Sequence, residues 1–242
     1  MNRFPIANIA HSADVTRWHS VPSLKNPSIA EHSFLVTLYS LYLAQGILKE
    51  FSAEEERMIT RLALWHDMAE TITGDLPTPV KRYLESLFPS GQSPLDKLEE
   101  RLCEPYAQAK HDAAAHIRII VKLGDVLDAI HFAENEIKGR ARRKIFNERK
   151  QAFKNYVDKG AREFPQFNWE FAHVLLEDLL TSEPTSIDFK EFFENEQFEG
   201  QALNPGAGQW ETKRKGALHA ECSTWTLAVE IFRRIFGRRS VS

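Results

Sequence analysis

The chain has 242 residues, which is enough for one well-packed core and does not by itself require a second domain. Hydrophobic residues (43%) and charged residues (27%) occur at ordinary globular frequencies, which excludes collagen-like, disordered and membrane-embedded classes. The formal net charge of −3 argues against a broad basic surface that coats nucleic acid, so we expect no stable nucleic-acid complex.

Helices are predicted along most of the chain, because apolar residues recur at spacings of three and four and strand-like alternation is nearly absent. We therefore expect an all-α fold. After an irregular start, helices are predicted over residues 28–48, 53–73, 94–110, 115–138, 144–159 and 168–181. The second of these begins at a capping box formed by Ser52 and Glu55 and ends at the sequence TGDLP of residues 73–77.

The composition shifts near residue 199, where Gly, Asn and Pro residues indicate a linker. We predict one domain over residues 1–198 and a C-terminal extension over residues 199–242 that carries a basic amphipathic helix at 224–236. The apolar stripe of this helix favours docking on the core or on a dimer partner. Contact with a membrane surface or with nucleic acid is the alternative.

Two features of the sequence bear on the cellular compartment. Cys103 and Cys222 are far apart and form no C-x-x-C pattern, so we expect neither a disulfide framework nor a thiolate metal site. The N-terminus lacks an apolar signal segment, and no run of about eighteen apolar residues occurs. The expectation is a cytoplasmic protein without a membrane span.

Ionisable residues interrupt three otherwise apolar helical segments. His66 and Asp67 are adjacent in the second predicted helix, where burying them without a partner would be costly. This pair alone could equally lie on the surface. His32 and Asp125, in two other apolar helices, strengthen the case for a metal site, because four ligands from three helices can converge in a bundle core. Two histidines and two carboxylates suit one divalent transition metal, such as Mn, Co, Fe, Ni or Zn, better than Ca or Mg.

Several short motifs carry a resemblance to a known family. They are Arg17-Trp18, AEHS at residues 30–33, HDMAE at 66–70, TGDLPTPVK at 73–81 and KLGD at 122–125. With the pattern H…HD…D in successive helices, they resemble the HD-domain phosphohydrolases and, among these, the YfbR-like 5'-deoxynucleotidases, over about residues 1–180. The resemblance implies a helical bundle that is a homodimer and hydrolyses deoxyribonucleoside 5'-monophosphates to deoxynucleoside and phosphate. It also implies the metal ligands, which are His32, His66, Asp67 and Asp125.

Two carboxylates are candidates for catalysis. Glu70 lies one helical turn beyond the His66-Asp67 pair, so its carboxylate can lie beside the metal without ligating it. The family assigns a general acid or base to this position, and the alternative is a solvated glutamate on a helix surface. Asp75 could assist the leaving group or fix Glu70 and the substrate, or it could cap a helix before Pro77.

Three residues are candidates for binding the substrate. Arg17 can grip a phosphate with two donors, as its family counterpart is thought to do. Trp18 offers a flat wall against the sugar, and the resemblance implies that it excludes a ribose 2'-hydroxyl. Lys81 is a second candidate phosphate contact. The alternatives are a surface arginine, a core tryptophan and a solvated lysine.

Other ionisable residues are left out of the predicted site. Asp128 follows Asp125 by one turn, but the K-x-x-D spacing favours Asp125 as the ligand. His111, His116 and His131 are expected on helix surfaces or in packing.

Two other functions are compatible with the same motifs. A dNTP triphosphohydrolase, acting for example on dATP, would use the same scaffold with a more basic pocket. The sequence has no extra basic cluster around the motifs, which favours the monophosphate as substrate. A non-catalytic nucleotide-binding HD protein is the third interpretation, and the presence of Glu70 beside a complete ligand set argues against it.

Overall fold

Ten α-helices make up the part of the chain that the structure describes. The computed structural model describes residues 4–88 and 93–184. In chain order the helices are α1 (Ile6–His11), α2 (Ile29–Ile47), α3 (Ala53–Trp65), α4 (Glu70–Thr73), α5 (Thr78–Ser86), α6 (Pro94–Leu102), α7 (Glu104–Asp112), α8 (Ala115–Asn135), α9 (Arg140–Glu163) and α10 (Phe171–Thr181). No β-strand occurs in these two ranges, which confirms the predicted all-α class.

The C-terminal part of the prediction lies outside the described residues. This applies to the domain boundary after residue 198, to the linker and to the helix at 224–236. Among the described helices, none combines the length and the hydropathy that a membrane span requires.

The second predicted helix, over 53–73, is divided in the structure. It begins as predicted, with a capping box between Ser52 and Glu55. It ends at Trp65, and after that residue three-residue turns replace the helical pattern. The amide of Met68 donates a hydrogen bond to the carbonyl of Trp65, and the amide of Glu70 donates one to the carbonyl of Asp67. Consecutive side chains of a regular helix point about 100° apart, so this break lets adjacent residues face one point.

Two further differences follow from proline. The predicted helix over 94–110 is divided into α6 and α7 at Cys103, which has φ −130° and ψ 86°. Pro105 lies in the first turn of α7, and its ring cannot continue a preceding helix. Proline also begins α5, a helix that the sequence pattern did not predict, at the Pro77-Thr78-Pro79 segment. The short α1 was likewise expected to be irregular.

Helices α2 and α8 form the centre of the bundle, with α3 packed against α2 and α9 packed against α8. Val36 and Leu43 of α2 and Leu127 of α8 are fully buried. The two helices approach closely at Gly124, where a Cβ atom would lie 3.0 Å from the carbonyl oxygen of Val36. This approach brings the segment around His32 next to the segment that follows Gly124.

Candidate metal centre

Four side chains from three parts of the fold meet at one point. His32 extends from α2, Asp125 from α8, and His66 and Asp67 from the turn after α3. Nε2 of His32 lies 3.1 Å from Nε2 of His66, 3.3 Å from Oδ2 of Asp67 and 3.4 Å from Oδ1 of Asp125. Nε2 of His66 lies 3.4 Å from Oδ2 of Asp67. The structure thus brings together the four residues that the sequence predicts as metal ligands, and we call them the ligand set.

The two histidines turn lone pairs toward each other. Nδ1 of His66 lies 2.7 Å from the carbonyl oxygen of Ala63, and Nδ1 of His32 lies 2.6 Å from Oδ2 of Asp128. A neutral imidazole that donates from Nδ1 keeps a lone pair on Nε2, so two lone pairs converge with the carboxylates. Burial, and then the neighbouring His32, lower the pKa of His66 to about 3, which keeps its imidazole neutral near neutral pH.

These separations suit a single divalent cation. Nitrogen and oxygen ligands at about 2.1 Å from one ion lie roughly 3.0–3.4 Å apart. The four separations given above, 3.1–3.4 Å, lie within that range. The ligand atoms of His32, His66 and Asp67 all lie within 4.8 Å of one another, and Asp125 joins this group through its contact with His32. A cation at this point would also relieve the repulsion between the lone pairs of His32 and His66 and the carboxylates beside them. The residues present therefore fit a divalent metal.

The two oxygens of Asp125 have different neighbours. Oδ1 faces His32, whereas Oδ2 accepts a hydrogen bond from Nζ of Lys122 at 2.5 Å. Although burial opposes the shift, Lys122 and His32 hold the pKa of Asp125 well below its usual range. Asp125 is therefore ionised, as a carboxylate ligand must be.

Glu70 lies beside the ligand set and is only 2% exposed. Its Oε1 accepts a hydrogen bond from Nζ of Lys81 at 2.6 Å. Its Oε2 has no hydrogen-bond partner among the described residues and lies 3.7 Å from Nη1 of Arg17. Arg17 also contacts Asp67 and approaches Asp125 to 4.0 Å. Both cations predicted to bind phosphate thus lie against acidic residues of the site.

Trp18 has a backbone φ of 60°, which residues other than glycine rarely adopt. Its amide donates a hydrogen bond to Oδ2 of Asp75 at 2.8 Å, and its indole stacks on Phe132 with ring centroids 5.1 Å apart. Asp75 makes this contact instead of capping α5, which has no side-chain cap. Cζ of Arg149 lies 5.5 Å from the centroid of the indole. The neighbours of Trp18 therefore hold its unusual backbone conformation next to Arg17.

Two residues around the ligand set were not predicted. Asp128 is one of them: the sequence suggests it only as a direct ligand, whereas in the structure it is the buried partner of His32. A carboxylate in an apolar helix signals such a partner, and Asp128 is only 4% exposed. Arg149 of α9 donates a hydrogen bond from Nη2 to Oγ1 of Thr78 at 2.9 Å. Its place over Trp18 depends on the packing of α9, and no motif near Arg149 pointed to it.

A cavity of about 660 Å³ opens beside the ligand set, a volume typical of sites for small molecules. His66, Asp67 and Asp125 border it, whereas Arg17 and Trp18 do not line it. The indole of Trp18 is therefore not part of the cavity, and Trp18 is linked to the ligand set through its neighbour Arg17, which contacts Asp67. The basic residues that line the cavity are Lys81, Lys110, Arg118, Lys122 and Lys159. Its acidic lining residues beyond the ligand set are Glu85, Asp96, Glu99 and Glu163.

Residues 6–178 match the family described as 5'-deoxynucleotidase YfbR-like, which is more than half of the chain. A protein named dATP triphosphohydrolase from Acinetobacter phage SH-Ab 15497 is 30% identical over 201 residues, covering 78% of this chain and 97% of that protein. The 5'-deoxynucleotidase YfbR of Salmonella typhi is 28% identical over 135 residues, covering 51% of this chain and 67% of that protein.

A solved structure shares the fold. The cyanophage S-2L HD phosphohydrolase (DatZ), bound to dA and one catalytic Zn²⁺ ion, matches with a TM-score of 0.56 and 23% identity. The match covers 65% of this chain and 86% of that chain, and at this identity it concerns the fold alone. From the family match over residues 6–178, the chain belongs to the 5'-deoxynucleotidase YfbR-like family and is a hydrolase with the fold of an HD phosphohydrolase.

Proposed function

We propose that the chain hydrolyses the bond between the α-phosphorus and the 5' oxygen of a deoxyribonucleoside triphosphate such as dATP, releasing the deoxynucleoside and triphosphate. The observation that carries this proposal is the position of the ligand set at the border of a cavity with basic side chains. Two similar phage proteins are named dATP triphosphohydrolase. The sequence motifs alone favour the monophosphate, because the basic residues that line the cavity are far apart in the chain and form no cluster in the sequence.

The ligand set of His32, His66, Asp67 and Asp125 would hold one divalent transition metal from the group Mn, Co, Fe, Ni and Zn. When bound, the cation supplies Lewis acidity, which makes water a stronger nucleophile and offsets the charge on the phosphoryl group. The cyanophage enzyme with the same fold has one catalytic Zn²⁺. This supports a metal of the same class here.

Glu70 is the residue that transfers a proton. Lys81 occupies its Oε1, so the buried Oε2 is the atom available to accept a proton from the attacking water or to deliver one to the leaving group. The water oxygen bonds to the α-phosphorus as the bond from phosphorus to the 5' oxygen breaks. The 5' oxygen takes up a proton and leaves as the hydroxyl of the deoxynucleoside.

Arg17 and Trp18 orient the substrate. The guanidinium of Arg17, among Asp67, Glu70 and Asp125, can turn its donors to an oxygen of the α-phosphate. The indole of Trp18 forms a wall against the deoxyribose, where a 2'-hydroxyl would meet the ring. Asp75 acts through Trp18 because it binds the amide of that residue, and it is a positioning residue in this proposal.

Hydrolysis of a deoxyribonucleoside 5'-monophosphate is the second candidate function. The relatives named 5'-deoxynucleotidase favour it. Both reactions break the same bond and need the same ligand set and Glu70. They differ only in whether further phosphates are attached to the α-phosphorus.

Product identification tests the proposal. The metal-loaded protein is incubated with dATP and, separately, with dAMP, and the products are separated by ion-exchange chromatography. We expect deoxyadenosine and triphosphate from dATP, and loss of the reaction after chelation of the metal. Hydrolysis of dAMP with dATP left intact would establish the monophosphate reaction instead. Formation of dADP or dAMP from dATP would contradict the proposed cleavage site.

We also propose that the chain is a cytoplasmic homodimer. Helix α2 leaves one apolar stripe exposed, formed by Phe34, Leu38 and Tyr42, and a second copy packed there would remove it from water. Phe34→Glu should shift the molecular mass in sedimentation from dimer to monomer. A parent protein that sediments as a monomer would contradict this assembly.

A further inference from the structure

We propose that the cavity beside the ligand set binds the phosphates beyond the α-phosphate, through Lys122, Tyr156 and Lys159. This inference rests on the proposed hydrolysis at the α-phosphorus. It assigns a polyphosphate subsite to Lys122 of the KLGD motif together with Tyr156 and Lys159, which lie outside the family motifs. The ligand class is an inorganic or nucleoside polyphosphate. These residues come from α8 and α9.

Three of the basic residues that line the cavity are already engaged. Nζ of Lys110 lies 2.9 Å from Oε1 of Glu100, and Nη1 of Arg118 donates to a backbone carbonyl at 2.6 Å. Nζ of Lys81 donates to Glu70 at 2.6 Å. The basic lining residues that remain to be considered are therefore Lys122 of α8 and Lys159 of α9.

Lys122 lies where the ligand set meets the cavity. Its Nζ is 2.5 Å from Oδ2 of Asp125, the oxygen that does not face His32. An ammonium group has three N–H donors, and this contact uses one of them. The side chain is 49% exposed, so the other donors can reach an anion in the cavity. Lys122 can therefore contact the phosphate next to the one that reacts.

Tyr156 and Lys159 line the cavity from α9. They are three residues apart and lie on the same face of that helix. Within the described chain, the carboxylate nearest to Nζ of Lys159 is that of Glu163, at 3.9 Å, and an exposed pair at that distance holds the lysine weakly. A phosphate would offer Lys159 a stronger, doubly charged partner and would accept a hydrogen bond from the hydroxyl of Tyr156.

The arrangement of the surfaces supports this orientation of the substrate. Trp18 does not line the cavity, and its neighbour Arg17 contacts Asp67 of the ligand set, so a nucleotide can place its sugar at Trp18 and its further phosphates in the cavity. Apart from the ligand set and Glu163, the acidic residues that line the cavity belong to α5 and α6, namely Glu85, Asp96 and Glu99. The wall formed by α8 and α9 thus carries three of the five basic lining residues, which are Arg118, Lys122 and Lys159.

The experiment compares Lys159→Ala and Tyr156→Phe with the metal-loaded parent. Lys154→Ala is the matched control, because Lys154 is an exposed lysine of α9 that does not line the cavity. Steady-state kinetics give kcat/KM for dATP and for dAMP, and calorimetry gives the affinity for inorganic triphosphate. For Lys159→Ala we expect the dATP to dAMP ratio of kcat/KM, and the triphosphate affinity, to fall about 10-fold each. Tyr156→Phe should change both in the same direction, and Lys154→Ala should change neither.

The subsite would be overturned if Lys159→Ala and Lys154→Ala had the same dATP to dAMP ratio of kcat/KM and the same affinity for triphosphate. The failure of the proposed triphosphate reaction has a different signature, namely a parent that hydrolyses dAMP and leaves dATP intact. The binding measurement then still decides about the cavity. Triphosphate bound more tightly than phosphate, with the difference lost in Lys159→Ala, supports the subsite, and equal binding of the two anions by the parent overturns it.

Discussion

Oδ2 of Asp128 lies 2.6 Å from Nδ1 of His32, and both side chains are buried. A carboxylate at this point fixes the N–H on Nδ1 and turns the lone pair of Nε2 toward the ligand set. We therefore expect Asp128 to act as a positioning residue that prepares His32 to bind a metal.

Asp128→Ala should weaken metal binding by about 10- to 100-fold, because His32 would lose its preferred tautomer and orientation. Asp128→Asn keeps an acceptor for Nδ1 and should fall between this variant and the parent. Calorimetric titration of the apoprotein with Co²⁺ measures the affinity, and circular dichroism reports whether the helices persist. An unchanged affinity in a folded Asp128→Ala protein would show that His32 needs no such partner.

Glu70→Gln should retain the metal and lose about 10²- to 10⁴-fold in kcat, because the amide cannot accept the proton that the carboxylate accepts. The amide oxygen can still accept the hydrogen bond from Lys81. Metal content by mass spectrometry and deoxyadenosine release from dATP are measured on the same sample. A variant with full turnover would remove Glu70 from the chemistry, and one without metal would reassign it to the ligand set.

Gly124→Ala should lower both stability and metal affinity. The added methyl group would press on the Val36 carbonyl and the Ser40 side chain and would push α2 away from α8. We expect this overpacking to lower the free energy of unfolding by about 1–3 kcal/mol. His32 and Asp125 lie on these two helices and would move apart.

Gly46→Ala is the matched control for this prediction. Its methyl group would press on Phe171, toward the other end of α2. We expect a lower melting temperature and an unchanged affinity of the folded protein for Co²⁺. Equal metal affinities in Gly124→Ala and Gly46→Ala would disprove the link between the helix contact and the ligand set.

Trp18→Ala should reduce the preference for dATP over ATP. A wall that excludes a hydroxyl discriminates between two substrates by at most about 100-fold in kcat/KM. We expect the dATP to ATP ratio of kcat/KM to fall roughly 10-fold in this variant. Asp75→Ala should act in the same direction with a smaller effect, because the amide of Trp18 loses its acceptor. The ratio of kcat/KM for the two nucleotides is the measurement, and an unchanged ratio in Trp18→Ala would place the sugar elsewhere.

The ligand set could be predicted because burial of charge leaves a clear pattern. His32, His66, Asp67 and Asp125 are ionisable residues in segments whose other residues build the core, and few arrangements other than a metal site explain such a pattern. The turn that aims His66 and Asp67 at one point could not be predicted, because it contains neither glycine nor proline and its apolar spacing continues that of α3.

The cavity was beyond prediction for a different reason. Lys110 and Lys122 are 12 residues apart and Lys159 follows 37 residues later, and each one alone looks like a solvated lysine on a helix. Only the packing of α7, α8 and α9 places them around one space. For the same reason, the motifs pointed to hydrolysis at a 5' oxygen but did not reveal how many phosphates the site can hold.

The central claim is that the ligand set holds one metal at which a deoxynucleotide reacts. Anomalous diffraction at the metal absorption edge, from crystals grown with Co²⁺ and soaked with dATP, tests it most directly. We predict one peak per chain, within coordination distance of Nε2 of His32, Nε2 of His66 and the carboxylates of Asp67 and Asp125. A peak at the cavity carboxylates Asp96 and Glu99 instead, or no peak at the ligand set, would contradict the claim.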